Sequence, residues 1–452
     1  MKPVPTILLI SYHFHPSIEI GARRTTALAQ FLAGQGIRTI VVSEFGGKPI
    51  EPHTEIQPGI VAIPVAQPKR LLIDAIVALK KRRAAGKSDD VGRASTAAAT
   101  PPPAAVAKDV SPSLSSRLRD AFFRAVYFVD AYKKWGWRAS RAAVQAGRKY
   151  GASLVISSAP PYSMLLSGTR TARKLGIPHI ADMRDPWTAH FAMSLPQRTF
   201  ELALLRRLER WVATSAAAIT STGATVAQLL AKNHPGTGGR IHVIRNGFDG
   251  AIAKPATTTG GRLSILFAGE LYAKRNPFPL LTALDNLLQR PGVDAARIKL
   301  IFMGRCATYD NQSLAEWIRG KRCESVVTLL PQMPQQAVVE AMRDSTVLLN
   351  LAQQQPLSVP AKTYEHLASG KEILLLCEDD SDTAEVVAGL RGIHQVDQNN
   401  PGALERALED LYQRHVVLDR PHAPCEEQVR PFSRQAANEQ FLAIMKSLAP
   451  LA

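Results

Sequence analysis

Several features are missing from this chain, and each absence narrows what it can be. No apolar run reaches the roughly 18–20 residues that span a bilayer. The opening MKPVPTILLISYHF runs straight into a short strand-like segment without signal-peptide anatomy, so the expectation is a protein made and kept in the cytoplasm. There are four cysteines, Cys306, Cys323, Cys377 and Cys425, all in the second half. None forms a CxxC pair and no His/Cys cluster has zinc spacing, which leaves reduced, structural thiols. Acidic residues are scarce in the first half. Residues 1–250 carry 34 Lys/Arg against 15 Asp/Glu, whereas the remainder carries 21 against 23, within an overall charge of +17. Such a half suits an anionic partner, either a nucleic acid or an anionic membrane surface; otherwise it is simply a soluble basic protein. Against nucleic acid, the basic residues form no recognisable nucleic-acid module.

What is present is a repeated alternation of apolar strand-like runs with helical patterns. TILLI (6–10), RTIVVS (38–43), SLVIS (153–157), PHIAD (178–182), AAAITS (216–221) and IHVI (241–244) punctuate the first half. SILFA (264–268), IKLIFM (298–303), VVTLL (326–330), TVLLNL (346–351) and EILLL (372–376) punctuate the second. Strand–helix alternation implies α/β architecture with parallel sheets covered by helices on both faces. A length of 452 residues accommodates two or three domains. The aperiodic, Gly- and Thr-rich stretch 245–261 marks the seam. Residues 84–116, rich in Ala, Pro and Ser, read as a flexible excursion from the first domain. The basic LKKRRAA (79–85) precedes it, and the run 117–144 follows, mixing aromatic with basic residues. That run either lies on an anionic bilayer surface or packs its aromatic face onto the first sheet, and both can hold.

The most informative stretch is QPLSVPAKTYEHLASGKEILLL (355–376). It reads as a loop, a short helix opened at Ser358 or Pro360 and closed at Gly370, and a buried strand. Tyr364, Leu367 and Ala368 share one helical face; Lys362, Glu365 and Ser369 share another. A lysine in the first turn opposes the helix dipole, which makes sense if an anion takes both the lysine and the free amides. Glu365, one turn on, suits sugar hydroxyls. The plain alternative is a surface helix with an incidental Lys/Glu pair.

Three further motifs sit after strands. In the loop 11–36, Gly21 lets the backbone turn closely, and Arg23 and Arg24 begin the next helix as a phosphate cradle, although no GxGxxG is present. His13 and His15 lie at the carboxyl end of the first strand and read as hydrogen-bonded loop histidines. IADMRDPW (180–187) places Asp182, Arg184 and Asp185 at another strand end, as either an ion-pair cluster or a polar active site. FAGELYAKRNP (267–277) brings Lys274 and Arg275 to a glycine loop, either at the top of a sheet or as a solvated charge pair.

GARR after the first strand, IADMRDPW, VIRNGFD (243–249), FAGELY and VPAKTYEHLASGKEILLL, in that order, resemble the GT-B glycosyltransferases. More narrowly, they are similar to the family 4-like bacterial retaining transferases of polysaccharide assembly. The resemblance covers nearly the whole chain apart from 84–116. It implies two Rossmann-like, doubly wound domains facing a central cleft: an acceptor domain over 1–250, a nucleotide-sugar domain over 251–430, and a helix over 431–452 that crosses back to the first domain. It implies a nucleotide-sugar donor as substrate. Glu365 then matches the second glutamate of the family's Glu-x7-Glu motif, which binds the ribose. Lys362 and the amides near Ser358 face the diphosphate. Arg275, or its neighbour Lys274, matches the basic position of the loop at Gly269. Gly21 and Arg24 approach the same phosphates, and Arg184, Asp182 and Asp185 stand beside the reacting sugar.

No metal-ligand carboxylate pair is evident, so no metal and no further cofactor are expected. The sequence departs from the family at three places. Leu357 stands where the first glutamate belongs, Glu270 where many relatives carry an arginine, and Arg184 where many carry a histidine. The acceptor implied is a lipid-linked glycan at the inner face of the cytoplasmic membrane, in exopolysaccharide, capsule or lipopolysaccharide assembly. The alternative is a non-catalytic, glycosyltransferase-like protein that binds a nucleotide or a partner.

Overall fold

A computed structural model of the chain describes residues 4–17, 19–68, 128–189, 199–272 and 274–449. The excursion 84–116, the basic stretch 79–85 and the first part of the run 117–144 lie outside the described residues. The first sheet has eight strands: β1 (Thr6–Ile10), β2 (Arg38–Ser43), β3 (Thr54–Gln57), β4 (Ile60–Pro64), β5 (Leu154–Ala159), β6 (His179–Met183), β7 (Ala218–Ser221) and β8 (Ile241–Val243). Their order is β3-β4-β2-β1-β5-β6-β7-β8, parallel except where β3 runs against β4. β3 and β4 are additions to the strands read from the sequence. TEIQ is short, with only Ile56 apolar, and gains its conformation by pairing at the sheet edge rather than by an apolar pattern.

Neighbouring register explains the packing. Ser157 of β5 lies opposite Ile10 on one side and Ala181 on the other, so these share a face. Helices α2 (Lys133–Tyr150), α3 (Ser163–Leu175) and α4 (Thr199–Ser215) cover that face, after α1 (Ile20–Gly34) has crossed to the opposite one. Trp135, Ala139 and Met164 pack on Leu8 and Ile10, while Leu205 and Val212 pack on Ala181 and Ile219. On the opposite face Leu28 and Leu32 of α1 pack on Ile7 and Leu9. Helix α5 (Ala224–Asn233) completes the domain.

The second sheet is wholly parallel: β9 (Leu263–Glu270), β10 (Ile298–Arg305), β11 (Val327–Leu330), β12 (Val347–Leu351), β13 (Glu372–Leu376) and β14 (Ile393–Val396), in the order β11-β10-β9-β12-β13-β14. Helices α6 (Phe278–Leu287), α7 (Gln335–Asp344), α8 (Ala361–Leu367), α9 (Asp382–Val387) and α10 (Pro401–Tyr412) accompany it. Strand order reverses at β1/β5 in one sheet and at β9/β12 in the other. Ligands of open α/β sheets bind outside the carboxyl ends of strands at such points, and there the candidate residues gather.

The last helix, α11 (Arg434–Leu448), returns to the first domain. Ser433 caps it by accepting from the Ala436 amide at 3.1 Å, and the Arg434 amide donates to the Phe248 carbonyl at 2.9 Å. Phe441 and Met445 then enter the core beside Ile7 and Leu9. Three contacts also join the domains from α8 and α9. The Asp382 carboxylate accepts from the Thr225 amide of α5 at 2.9 Å, serving as a helix cap supplied by the other domain. Arg245 pairs with Glu385 at 2.6 Å and Arg23 with Glu365 at 3.2 Å. Because Phe441 belongs to the first core, Phe441→Ala should remove about 3–5 kcal/mol of stability. Urea unfolding followed by fluorescence measures this, and an unchanged midpoint would mean that α11 merely lies on the surface.

Candidate active site

The first wall of the cleft starts with a buried ion pair. Arg24 projects from α1 into the domain, 4% exposed, and meets Asp182 at the end of β6, 1% exposed. Its Nε and Nη2 donate to the two carboxylate oxygens at 3.3 and 3.1 Å. Nη2 also donates to the Ile244 carbonyl and Nη1 to the Arg245 carbonyl, at 2.9 and 3.0 Å. The Phe441 ring of α11 lies 5.1 Å from the guanidinium. Asp182 further accepts from the Ser158 and Thr220 hydroxyls, both at 2.7 Å. Burial pushes its pKa up, but Arg24, Arg184 and the Ser158 hydroxyl outweigh burial and hold the carboxyl below its ordinary range. Arg24, expected at the phosphates, and Asp182, expected beside the reacting sugar, here spend their hydrogen bonds on each other, on the Ser158 and Thr220 hydroxyls and on the domain's own backbone.

Arg184 is placed differently. Its Nε donates to the Ala159 carbonyl at 2.7 Å, Nη2 to Pro160 at 3.0 Å and Nη1 to Gly21 at 3.3 Å. Three carbonyls orient the fork, a guanidinium has five N–H groups, and the charge interacts with the Asp182 and Asp185 carboxylates. A Cβ at Gly21 would sit in ordinary contact with these groups, 3.4 Å from Arg184 Nη2 and 3.6 Å from the His13 ring. Burial lowers the pKa of His13, Glu19 opposes that shift, and Arg184 adds to it. Asp185, half-buried, follows Arg184 in the chain and adds negative charge near Tyr162. Tyr162 stacks on Trp187, with centroids 5.3 Å apart.

The second wall gathers round Gly269 at the end of β9. The Lys362 ammonium of α8 donates to the Ala268 carbonyl, and a Cβ at Gly269 would come within 2.7 Å of it. Burial lowers the Lys362 pKa, the Arg275 charge adds to that, and Glu365 opposes it. Arg275 donates to the Glu270 carbonyl at 3.3 Å and lies over the Tyr272 ring at 4.5 Å. Its buried Nε has no partner, and neither has the buried Oε1 of Gln353 in the loop after β12. Helix α8 runs only from Ala361 to Leu367. It brings the Lys362 charge to the wall, on a helix as short as the sequence implied.

The remaining expected residues divide. Glu365 faces the opposite wall, where Arg23 reaches it; Arg23, and not Arg24, is the arginine of GARR that enters the cleft. Lys274 turns aside to the Gln354 carbonyl at 2.8 Å. Ser358 accepts the Thr383 hydroxyl through its carbonyl at 3.3 Å. Leu357, at the position of the family's first glutamate, packs against the first domain's cluster with Tyr162 and Trp187. That role was not legible, because the apolar surface it covers comes from segments about 170–195 residues away. Among the described residues no group of three or more His, Cys, Asp or Glu side chains has metal-holding geometry.

The Arg24–Asp182 pair sets a stability prediction. A carboxyl whose folded pKa is depressed contributes stability above its unfolded pKa, near 3.9, and loses it as pH falls through the folded value. Asp182→Asn should remove this acid-side dependence and cost about 3–5 kcal/mol at neutral pH by stranding Arg24. Urea titrations of both proteins across pH 2–7 test it, and equal stabilities would show that Arg24 does not need the charge.

Residues 97–251 match the family model described as Glycosyltransferase Family 4. No curated protein matches the chain by sequence. Solved structures align over almost all of it. A sucrose-phosphate synthase from Thermosynechococcus elongatus superposes with a TM-score of 0.58 at 12% identity, covering 98% of this chain and 99% of that one. A UDP-forming α,α-trehalose-phosphate synthase from Burkholderia xenovorans gives 0.58 at 13%, with the same coverage. The lipopolysaccharide outer core galactosyltransferase WaaB gives 0.56 at 11%, again with 98% and 99% covered. The chain therefore has the fold of the GT-B glycosyltransferases, and its first domain carries the family 4 signature.

Proposed function

We propose that this protein transfers a sugar, with retention, from a nucleotide-sugar donor to a glycan acceptor. The observation that carries the reading is the convergence of fixed positive groups on one cleft. Arg184 is held by three carbonyls on one wall, and Lys362 and Arg275 meet at the Gly269 loop on the other. In this reading Lys362 and Arg275 receive the diphosphate, where a departing nucleoside diphosphate accumulates charge. Donors fixed before the reaction need no reorganisation to stabilise that charge. Glu365 exchanges its pair with Arg23 for the ribose hydroxyls. Arg184 and Asp185 border the sugar, with the Tyr162–Trp187 stack behind them. Neutralisation of the diphosphate rests on lysine and arginine, with no metal required. Among the described residues no helix is long and apolar enough to cross a membrane. In this reading the acceptor is lipid-linked and is met by a protein bound peripherally at the inner face, in exopolysaccharide, capsule or lipopolysaccharide assembly.

A thermal-shift panel with UDP, GDP, TDP and CMP, in the presence of EDTA, tests donor binding. One nucleotide at about 100 times its dissociation constant should add about 2.7 kcal/mol. Glu365→Gln should weaken that nucleotide by about tenfold, the worth of one charged hydrogen bond, without changing the urea midpoint. No shift with any nucleotide would remove the reading in favour of a non-catalytic binding protein. With the donor identified, Arg184→Lys keeps the charge and loses the fork. Turnover should then fall about 100-fold, as when a single transition-state donor is lost, while nucleotide affinity stays within a few-fold. Unchanged turnover would place Arg184 outside the reaction.

A further inference from the structure

Helices α2, α3 and α4 lie side by side on one face of the first sheet, so their outer surfaces form one continuous layer. Together they contain twelve lysines and arginines but only two carboxylates, Glu201 and Glu209. Glu209 is buried, accepting from Thr188 and facing His234 at 3.2 Å. It therefore adds nothing negative to the outside. Arg138, Arg141, Arg173, Arg206, Arg207 and Arg210 are all exposed.

Large apolar side chains stand out among them. Phe200 is 80% exposed and Leu204, one turn later on α4, is 38% exposed. Trp137 of α2 is 57% exposed and is held at the α2–α3 seam by the Arg170 guanidinium, 3.5 Å above its ring. A one-signed field around them selects an anionic partner. A helical layer with basic residues surrounding protruding Phe, Leu and Trp suits the headgroup boundary of a bilayer. Basic groups there meet anionic lipid, and the apolar ones reach the acyl edge.

We infer that the outer surface of α2, α3 and α4 docks this protein on an anionic lipid bilayer, with Phe200 and Leu204 entering the headgroup boundary. This deepens the reading of a lipid-linked acceptor, since it names the face that brings the first domain to the membrane.

The test is co-sedimentation of the full chain with vesicles. One set is phosphatidylcholine alone; the other contains roughly 30% phosphatidylglycerol, enough to give the surface a negative potential. The wild type should bind the anionic vesicles, bind the neutral ones at least about tenfold less, and release at high salt. R206E/R207E/R210E and F200S/L204S should each lower anionic-vesicle binding by about tenfold or more, with unchanged thermal midpoints. As a charge-matched control, R319E/K321E/R322E alters exposed residues of the second domain and should bind as the wild type does.

Equal losses in the control would reduce the effect to net charge and overturn the assignment. Equal binding to neutral vesicles would also overturn it, as would displacement from vesicles by duplex DNA at the same salt. Vesicle binding is read without any nucleotide. A protein that binds membranes but shifts with no nucleoside diphosphate would therefore fail the proposed activity and leave the surface standing.

Discussion

The structure depends on the contact between Arg24 and Asp182. Five segments meet there: α1, the ends of β5, β6 and β7, and the chain leaving β8 towards the second domain. Asp182 collects two hydroxyls and a guanidinium, and Arg24 collects the carbonyls of Ile244 and Arg245. Each charge satisfies the other in a volume that excludes water, so neither can leave without stranding its partner. Phe441 of α11 lies against the same guanidinium. The end of the chain is thereby tied to the place where the first domain hands over to the second. Such a pair supplies geometry more than stability: it sets the distance between α1 and the strand ends, and so where Gly21 and Arg184 stand.

Above that pair the cleft is a problem in placing charge. Arg184 is oriented by three carbonyls and feels the Asp182 and Asp185 charges without a hydrogen bond to Asp182, whereas Arg24 is oriented by the Asp182 carboxylate itself. Two arginines that look equivalent in sequence therefore do different work. On the facing wall Lys362 is held partly out of water beside Arg275, an arrangement that costs free energy until an anion arrives. The Arg23–Glu365 pair is exposed, with side chains 52% and 46% accessible, so it is worth little and can be exchanged cheaply. Expensive interactions hold the walls and inexpensive ones lie between them.

Much of this was legible. Alternating strand and helix patterns predict two parallel α/β domains, and the segments from TILLI to EILLL are strands. The short or polar strands at sheet edges, TEIQ and IHQV, were not legible, because pairing and not apolar periodicity decides them. The grouping of Lys362 and Arg275 at Gly269 was readable, since GELYAKR closes a buried strand and Lys362 opens a short helix after another. The environments of Arg24 and Asp182 were not. The partners that bury them come from residues 158 to 441, and nothing local distinguishes a buried arginine from its exposed neighbour.

The sequence by itself determined the fold class and the excess of positive charge in the first half. These follow from periodicity, turn residues and composition, all of which act over a few residues. Tertiary structure alone decided which arginine of GARR reaches Glu365 and that Asp182 pairs with the other. It also decided that Leu357 fills a space on the opposite domain, and that three separate helices present one basic face. Those outcomes depend on what lies across a sheet register or a domain boundary, where burial and the partners present decide between states that a local stretch of sequence leaves equal.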